Sequence, residues 1–351
     1  MIRTICLNGL KRRGLAGKQE YIDRLDEELE LIIGKDFSVY FIILWDALRW
    51  CRNNGIFIGR GRGSAAGSLV AYVMDITDVD PLEYGLLFWR FLSEWRSEFP
   101  DIDTDIADRD RKRLIAFLQE KYGHDNVAAL ITFIYFSGKS AFKAAAKVLA
   151  VPFKEANDAT KDIPDGASVE IFRDAKFKGF FEKYRGVYKL AKALEGRLQT
   201  TGTHAAATVI TDKALSQLVS LESQKLDGED DRNPVISIPK DAAEDLGLIK
   251  YDFLGLKTLS VVSDCIELVK RNHGKLIDHR NMKFDDPDVL KMVSDGDTVG
   301  LFQAEASAST RVIKDMGIDN FLDLVASNAL VRPGAMKVIG KDYVARKRGH
   351  Q

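Results

Sequence analysis

Pro100-Asp101-Ile102-Asp103-Thr104-Asp105-Ile106 carries three carboxylates at alternate positions. In an extended chain successive side chains point to opposite faces. Asp101, Asp103 and Asp105 then share one face, and Ile102, Thr104 and Ile106 share the other. Carboxylates on one face lie about 6.8 Å apart along the strand, and a divalent cation beside them offsets their repulsion. Mg²⁺ takes oxygen ligands and is usually held by one or two carboxylates plus substrate phosphates. The competing reading is a solvated acidic edge.

A second stretch has the composition of an anion cradle. Gly59-Arg60-Gly61-Arg62-Gly63-Ser64-Ala65-Ala66-Gly67-Ser68 follows a short apolar run, Ile56-Phe57-Ile58, and leads into the apolar Leu69-Val70-Ala71-Tyr72-Val73. A glycine-rich turn between a strand and a helix lets backbone N–H groups approach an anion. Ser64 and Ser68 offer hydroxyls, and Arg60 and Arg62 offer charge. The segment matches neither the Gly-Lys-Ser/Thr nucleotide loop nor the dinucleotide fingerprint. The alternative is a flexible loop.

Three further places carry charge in unusual company. Lys250-Tyr251-Asp252-Phe253-Leu254-Gly255-Leu256 is an apolar strand pattern with Lys250 and Asp252 on one face. Buried charges need partners. Either these two pair with each other, or Asp252 joins Asp101 and Asp103 in a carboxylate cluster. Arg90 sits among Trp89, Phe91 and Leu92, and Arg96 precedes the acidic run; each suits a salt bridge or a phosphate equally. Lys139, Lys143 and Lys147 recur at helical spacing among alanines and glycine with no acid between them. Such a stripe is either a solvated face or a contact for a phosphate backbone. His204, before an apolar run, has a structural role by default.

The elements that must position these groups are legible in outline. Helical periodicity predicts helices over 18–34, 37–53, 82–93 and 107–122. A strand is predicted over 127–135. Composition shifts near residue 136, and 136–203 reads as a helical, basic insert. Strand patterns resume at 203–211, 235–238 and 246–256 around a polar loop at 223–233. From 258 onward helices are predicted, with segments at 285–294, 305–316 and 319–330.

The bulk properties permit this plan and narrow it little. The 351 residues suffice for two or three domains. Lysine plus arginine, 51, balances aspartate plus glutamate, 52, so the distribution of charge, rather than its sum, must speak for a polyanionic partner. Cys6, Cys51 and Cys265 lack metal-ligand spacing and predict a reduced, cytoplasmic setting. No apolar run reaches membrane-span length, and the N-terminus lacks a signal-peptide pattern.

The ordered set of motifs resembles one family. Gly61-Arg62-Gly63-Ser64 with Ala66-Gly67-Ser68-Leu69, Arg90-Phe91-Leu92, Pro100 to Asp105, His204-Ala205, Lys250 to Leu256, Phe302-Gln303 with Glu305, and Arg332-Pro333-Gly334 occur in sequence. Together they resemble the alpha (catalytic) subunits of bacterial DNA polymerase III, the C-family DNA polymerases, from about residue 18 to the C-terminus. The resemblance implies an α/β (α+β) fold: a polymerase-beta-like nucleotidyltransferase palm with a mixed sheet, an inserted helical thumb and helical partial fingers. Residues 1–135 would be the first part of the palm, 136–203 the thumb insert, 204–258 the second part of the palm, and 259–351 the beginning of the fingers. It implies Asp101, Asp103 and Asp252 as catalytic ligands of two Mg²⁺ ions, with Asp105 outside that set. Gly63 and Ser64 match residues that meet the incoming triphosphate, and Arg90 and Lys250 match basic residues that face it.

The implied activity is DNA-directed DNA synthesis by transfer of a nucleotide from a dNTP to a primer 3′-OH. The implied partners are primer-template DNA, dNTPs, other replisome subunits or a second polypeptide carrying the remaining fingers, and no membrane. Lys139, Lys143 and Lys147 would track duplex phosphate. Arg60 replaces a usual proline, Ala205-Ala206-Ala207 a glycine-richer run and Ala306 a serine, and none of these removes a metal ligand. The family's PHP domain, most of its fingers, its clamp-binding region and its OB domain have no counterpart here. The chain is therefore expected to be a fragment, a split-gene product or a truncated viral or mobile-element copy. One alternative is a fragment that binds primer-template or complements another polypeptide without catalysis. A remoter one rests on Asp-x-Asp-Thr, which resembles haloacid-dehalogenase phosphatases and would make Asp101 a covalent nucleophile; it leaves the Gly-Arg stretch and the Lys250–Asp252 strand unexplained.

Overall fold

The computed structural model describes residues 1–95, 99–225 and 232–349. Along the chain come α1 (Ile2–Arg12), α2 (Gln19–Gly34), α3 (Ser38–Asn53), α4 (Leu69–Val73), β1 (Asp103–Ala107), α5 (Arg111–Tyr122), β2 (Val127–Tyr135) and α6 (Gly138–Val148). Then follow α7 (Phe153–Thr160), α8 (Lys178–Lys183), α9 (Val187–Leu194), β3 (Leu198–Ile210), β4 (Leu221–Lys225), β5 (Arg232–Ile236), α10 (Lys240–Asp245) and β6 (Lys250–Leu256). The remainder is helical: α11 (Lys257–His273), α12 (Pro287–Ser294), α13 (Ser307–Met316), α14 (Phe321–Leu330), α15 (Pro333–Ala335) and α16 (Lys341–Lys347). The described strands make a six-stranded mixed sheet in the order β1-β6-β3-β2-β5-β4. The chain divides into two compact units, Met1–Ile115 with Phe253–Gln351, and Ala116–Asp252, so the boundaries cut α5 and β6.

In the first unit, α1 to α4 pack around Leu10, Leu25, Leu29, Phe41, Leu44, Leu48 and Leu69, all at most 1% exposed. The predicted helices 18–34 and 37–53 are present within a residue of their expected ends. Helix α1 is not legible from its weak pattern: its buried residues are Ile2, Cys6, Gly9 and Leu10. Gly9 lets α1 lie against α4, since a Cβ there would meet the Val73 carbonyl oxygen at 1.9 Å. The C-terminal helices bury Val293, Val312, Ile313, Met316, Ile318 and Leu330 in a core of their own.

Two expectations in this unit are corrected. Residues 82–93 are not a helix; they hold turns and a single 3₁₀ turn, Phe88–Arg90. The Asp80 carboxylate accepts from the Leu82 and Glu83 amides, and the Arg24 guanidinium takes the Leu86 carbonyl, so backbone groups that a helix would use are engaged elsewhere. Ile56-Phe57-Ile58 forms only an isolated antiparallel bridge, Ile58 to Ile106.

The second unit joins a sheet to a helical cluster. β2 occupies its predicted residues and pairs antiparallel with β3 and, at Ala129 and Leu130, parallel with β5. One apolar cluster comprises Ala128, Leu130, Ala207, Val209, Leu215, Ile236, Ala243 and Leu248. The helices α6, α7 and α9 gather around Phe142, Val169, Phe172 and Val187, with Phe142 stacked on Phe172 at 4.4 Å between ring centroids. The predicted helical stretch ends earlier than 203, because β3 begins at Leu198 and pairs with β2 as far as Tyr135. The predicted polar loop at 223–233 partly belongs to the β4–β5 hairpin, and its centre lies outside the described residues.

Candidate nucleotide and metal site

The acidic run alternates as its sequence requires. Ile102, Thr104 and Ile106 are buried, Asp103 and Asp105 are partly exposed, and Asp101, two residues ahead of β1, is exposed. The Gly-Arg loop is fastened along this strand: the Gly59 amide donates to the Asp105 carbonyl at 2.8 Å, and the Ala107 amide to the Phe57 carbonyl at 2.9 Å. A Cβ on Gly59 would lie 3.1 Å from the Asp105 Cβ, so a glycine suits this close passage.

Arg62 locks loop and strand together. Its Nε donates to both Asp105 oxygens at 3.2 and 3.1 Å, its Nη2 to Asp105 Oδ1 at 3.0 Å, and its Nη1 to Asp103 Oδ2 at 3.1 Å. A planar guanidinium suits such a fork. Gly63 follows with φ +74°, a left-handed conformation that favours glycine. A Cβ on it would be 3.5 Å from Asp103 Oδ2. Gly63 and Ser64 are exposed. The structure thus brings Gly63, one of the two expected triphosphate residues, beside Asp103, an expected metal ligand, with Ser64 next in the chain.

The rest of the loop faces inward, which corrects the reading of Ser68 as an anion donor and turns Arg60 away from the Gly63-Ser64 turn. Ser68 is fully buried; its hydroxyl caps α4 by accepting from the Ala71 amide and donates to Glu28 Oε2 at 2.8 Å. Arg60 donates to the Asp78 carbonyl and lies over the Phe284 ring. Glu28, on α2, is 0% exposed and accepts from Ser68, the Leu69 and Val70 amides, and Arg24. Burial raises its pKa above the ordinary carboxylate range, against the pull of those four donors. Sequence reasoning missed this clamp. Its signal was an acid on the apolar face of α2, one turn after Arg24. Arg90 is exposed at the end of its 3₁₀ turn, between buried Phe88 and Phe91. Arg96 lies outside the described residues.

In the second unit, β6 begins with Lys250 and Asp252, each with a side chain 10% exposed, joined by a 2.5 Å ion pair. This is the pairing the spacing allowed. Asp252 stands opposite Ala207 of β3. Its Oδ1 is buried and has no hydrogen-bond partner among the described residues. Tyr251, on the other face, is buried, and burial pushes its phenol upward. His204 lies within β3, and its Nδ1 accepts from the Ala206 and Ala207 amides. Of the lysine stripe, Lys139 reaches the Ile163 carbonyl and Asp165, Lys143 reaches Asn157, and Lys147 is exposed.

Among the described residues no group of three or more His, Cys, Asp and Glu side chains is arranged to hold a metal ion. In the first unit Asp101 and Asp103 offer carboxylate oxygens, the donors that a hard dication takes. The unpartnered Asp252 Oδ1 is a buried acceptor that a cation would satisfy.

Comparison with known proteins agrees with these motifs. A family described as "Bacterial DNA polymerase III alpha NTPase domain" matches residues 1–255. A second, "Bacterial DNA polymerase III alpha subunit finger domain", matches 258–351. DNA polymerase III subunit alpha of Aquifex aeolicus is 36% identical over 385 residues, covering 100% of this chain and 33% of that protein. The Bacillus subtilis protein of the same name is 37% identical over 355 residues, covering 99% and 31%. That of Helicobacter pylori J99 is 38% identical over 350 residues, covering 94% and 29%. The chain thus spans about a third of the length of these curated relatives.

Proposed function

The chain belongs to the family of bacterial DNA polymerase III alpha NTPase domains, and on that premise we propose that it carries the nucleotidyl-transfer centre of a DNA-directed DNA polymerase. The observation that carries this reading is the Gly63-Ser64 turn held beside Asp103 by the Arg62 fork. In this proposal residues 1–135 and 204–258 form the palm, 136–203 the thumb and 259–351 the beginning of the fingers. The substrates are primer-template DNA and dNTPs, and the remaining polymerase segments or replisome subunits are the protein partners.

Asp101, Asp103 and Asp252 are the residues that would hold two Mg²⁺ ions. When bound, such a pair clamps the attacking and leaving oxygens of an in-line displacement. The chain's own groups do the positioning that phosphoryl transfer depends on. Gly63 and Ser64, exposed at the mouth of the loop, receive triphosphate oxygens through backbone N–H groups and a hydroxyl. Arg90 and Lys250 face the charge that develops on the phosphates. Lys250 also pairs with Asp252. Lys139, Lys143 and Lys147 lie toward duplex phosphate; Lys147, exposed, is the foremost of them.

Primer extension tests the reading. This chain is assayed with Mg²⁺, primer-template and four dNTPs, alone and fused to the C-terminal remainder of the Bacillus subtilis relative. Extension by the fused polypeptide, abolished by Asp103→Asn, is expected. Phosphomonoester hydrolysis abolished by Asp101→Asn, with no extension, would replace the polymerase reading by a phosphatase.

A further inference from the structure

In the first unit, on the segment that runs beside the acidic strand, arginines crowd a small cavity. It measures about 190 Å³ and is lined by residues 55–59 and by Arg52, Arg60, Asp78, His279 and Arg280. Sites for drug-sized ligands run to about 300–1,000 Å³, so this one suits a small ion rather than a nucleoside. Its charges do not balance. Arg60 Nε and Arg280 Nε stand 3.6 and 3.5 Å from the same Asp78 oxygen, near enough for attraction and too far for good hydrogen bonds. Arg13 also approaches Asp78, at 3.4 Å. Arg52 spends one nitrogen on the Asp75 carbonyl. The Nε atoms of Arg52 and Arg60 are buried and make no hydrogen bond among the described residues, and the Asp78 oxygen between Arg60 and Arg280 likewise makes none, leaving one carboxylate against three guanidinium groups. Buried guanidinium donors without acceptors are costly, and arginine's fork is the side chain that best matches tetrahedral oxyanions.

We propose that this cavity binds one phosphoryl-type oxyanion, held by Arg52, Arg60 and Arg280. The site shares no residue with the Gly63-Ser64 turn and does not depend on the polymerase reading. Local electrostatics agree. Burial, and then the Arg280 charge, hold the Arg52 guanidinium down to about 10, and the same two causes lower His279. An anion in the cavity relieves both. Its source is either a free phosphate or pyrophosphate, or a phosphodiester of nucleic acid.

His279 is a built-in reporter, packed on Phe57 at 4.4 Å between ring centroids. Its imidazole resonance is followed by NMR on the whole chain, assigned with His279→Gln. Titrations use inorganic phosphate, pyrophosphate and a single-stranded oligonucleotide, at ionic strength held constant with chloride. A saturable shift is expected, with the His279 titration moved to higher pH, because a nearby anion favours the imidazolium. Arg60→Gln with Arg280→Gln should weaken binding at least about tenfold, whereas Arg280→Lys, which keeps the charge, should lose less. Tighter binding of the oligonucleotide assigns the site to nucleic acid, and tighter binding of phosphate or pyrophosphate assigns it to the free anion. The absence of a saturable shift with all three ligands overturns the proposal on the unmodified chain alone. So does a shift that chloride reproduces or that survives the double substitution.

Discussion

Arg62 governs the acidic strand before any ligand arrives. Its fork on Asp105 and its bond to Asp103 do part of what a metal would do: they neutralise adjacent carboxylates. In the proposed centre a guanidinium and a dication would compete for Asp103. Arg62→Gln should bind Mn²⁺ about tenfold more tightly in the absence of nucleotide, a gain of about 1.4 kcal/mol. Electron paramagnetic resonance of free Mn²⁺ measures this, and unchanged or weaker binding would contradict the competition. His279 supplies a pH test. In an unfolded chain its imidazole titrates near about 6.5, and in the fold burial and Arg280 lower it. The unfolded state therefore takes up the proton first as pH falls. Stability is full above about 6.5 and declines between the unfolded and folded values. Urea unfolding at about pH 7.5 and about pH 5.5 should show a larger loss in the parent than in His279→Gln; equal losses would refute the assignment. At this scale much was legible. The period-two spacing gave the faces of Asp103 and Asp105, and the Lys250–Asp252 pair was one of two readings left open. The inward turn of Ser68 and Arg60 was not legible, because their partners, Glu28 and Asp78, are distant in sequence.

Elements were readable where one face is strongly apolar and obscure where it is marked by small residues. α2, α3 and β2 lie close to their predicted residues. α1 hides its buried face in a cysteine and a glycine, and Gly9 matters only through its approach to Val73. Residues 82–93 have helix-compatible composition, but Asp80 and Arg24 redirect their backbone groups. No local pattern announces a guanidinium arriving from another helix. The helical cluster of the second unit provides the energetic test. Phe142 is fully buried and stacked on Phe172. Phe142→Ala should destabilise this cluster by about 3–5 kcal/mol. Hydrogen exchange would read this as faster exchange in α6 and α9, and unchanged protection there would show that the aromatic stack is not the core it resembles.

For the whole molecule, family membership rests on matches along the full length, 1–255 and 258–351. The ordered motifs made that family legible in the sequence. The division at Ile115 and at Asp252 was not legible, because it cuts through a helix and a strand that each look continuous in their pattern. The central claim concerns three carboxylates that lie far apart in sequence: Asp101 and Asp103 by the acidic strand, and Asp252 with its unpartnered oxygen on β6. Single-turnover nucleotide incorporation by the fused polypeptide tests it most directly, with Asp101→Asn, Asp103→Asn, Asp252→Asn and Asp105→Asn side by side. The account predicts a loss of about 1,000-fold or more for each of the first three, equivalent to about 4 kcal/mol. It predicts about tenfold for Asp105→Asn, which acts only through Arg62. Near-normal incorporation by Asp252→Asn would contradict the three-carboxylate centre.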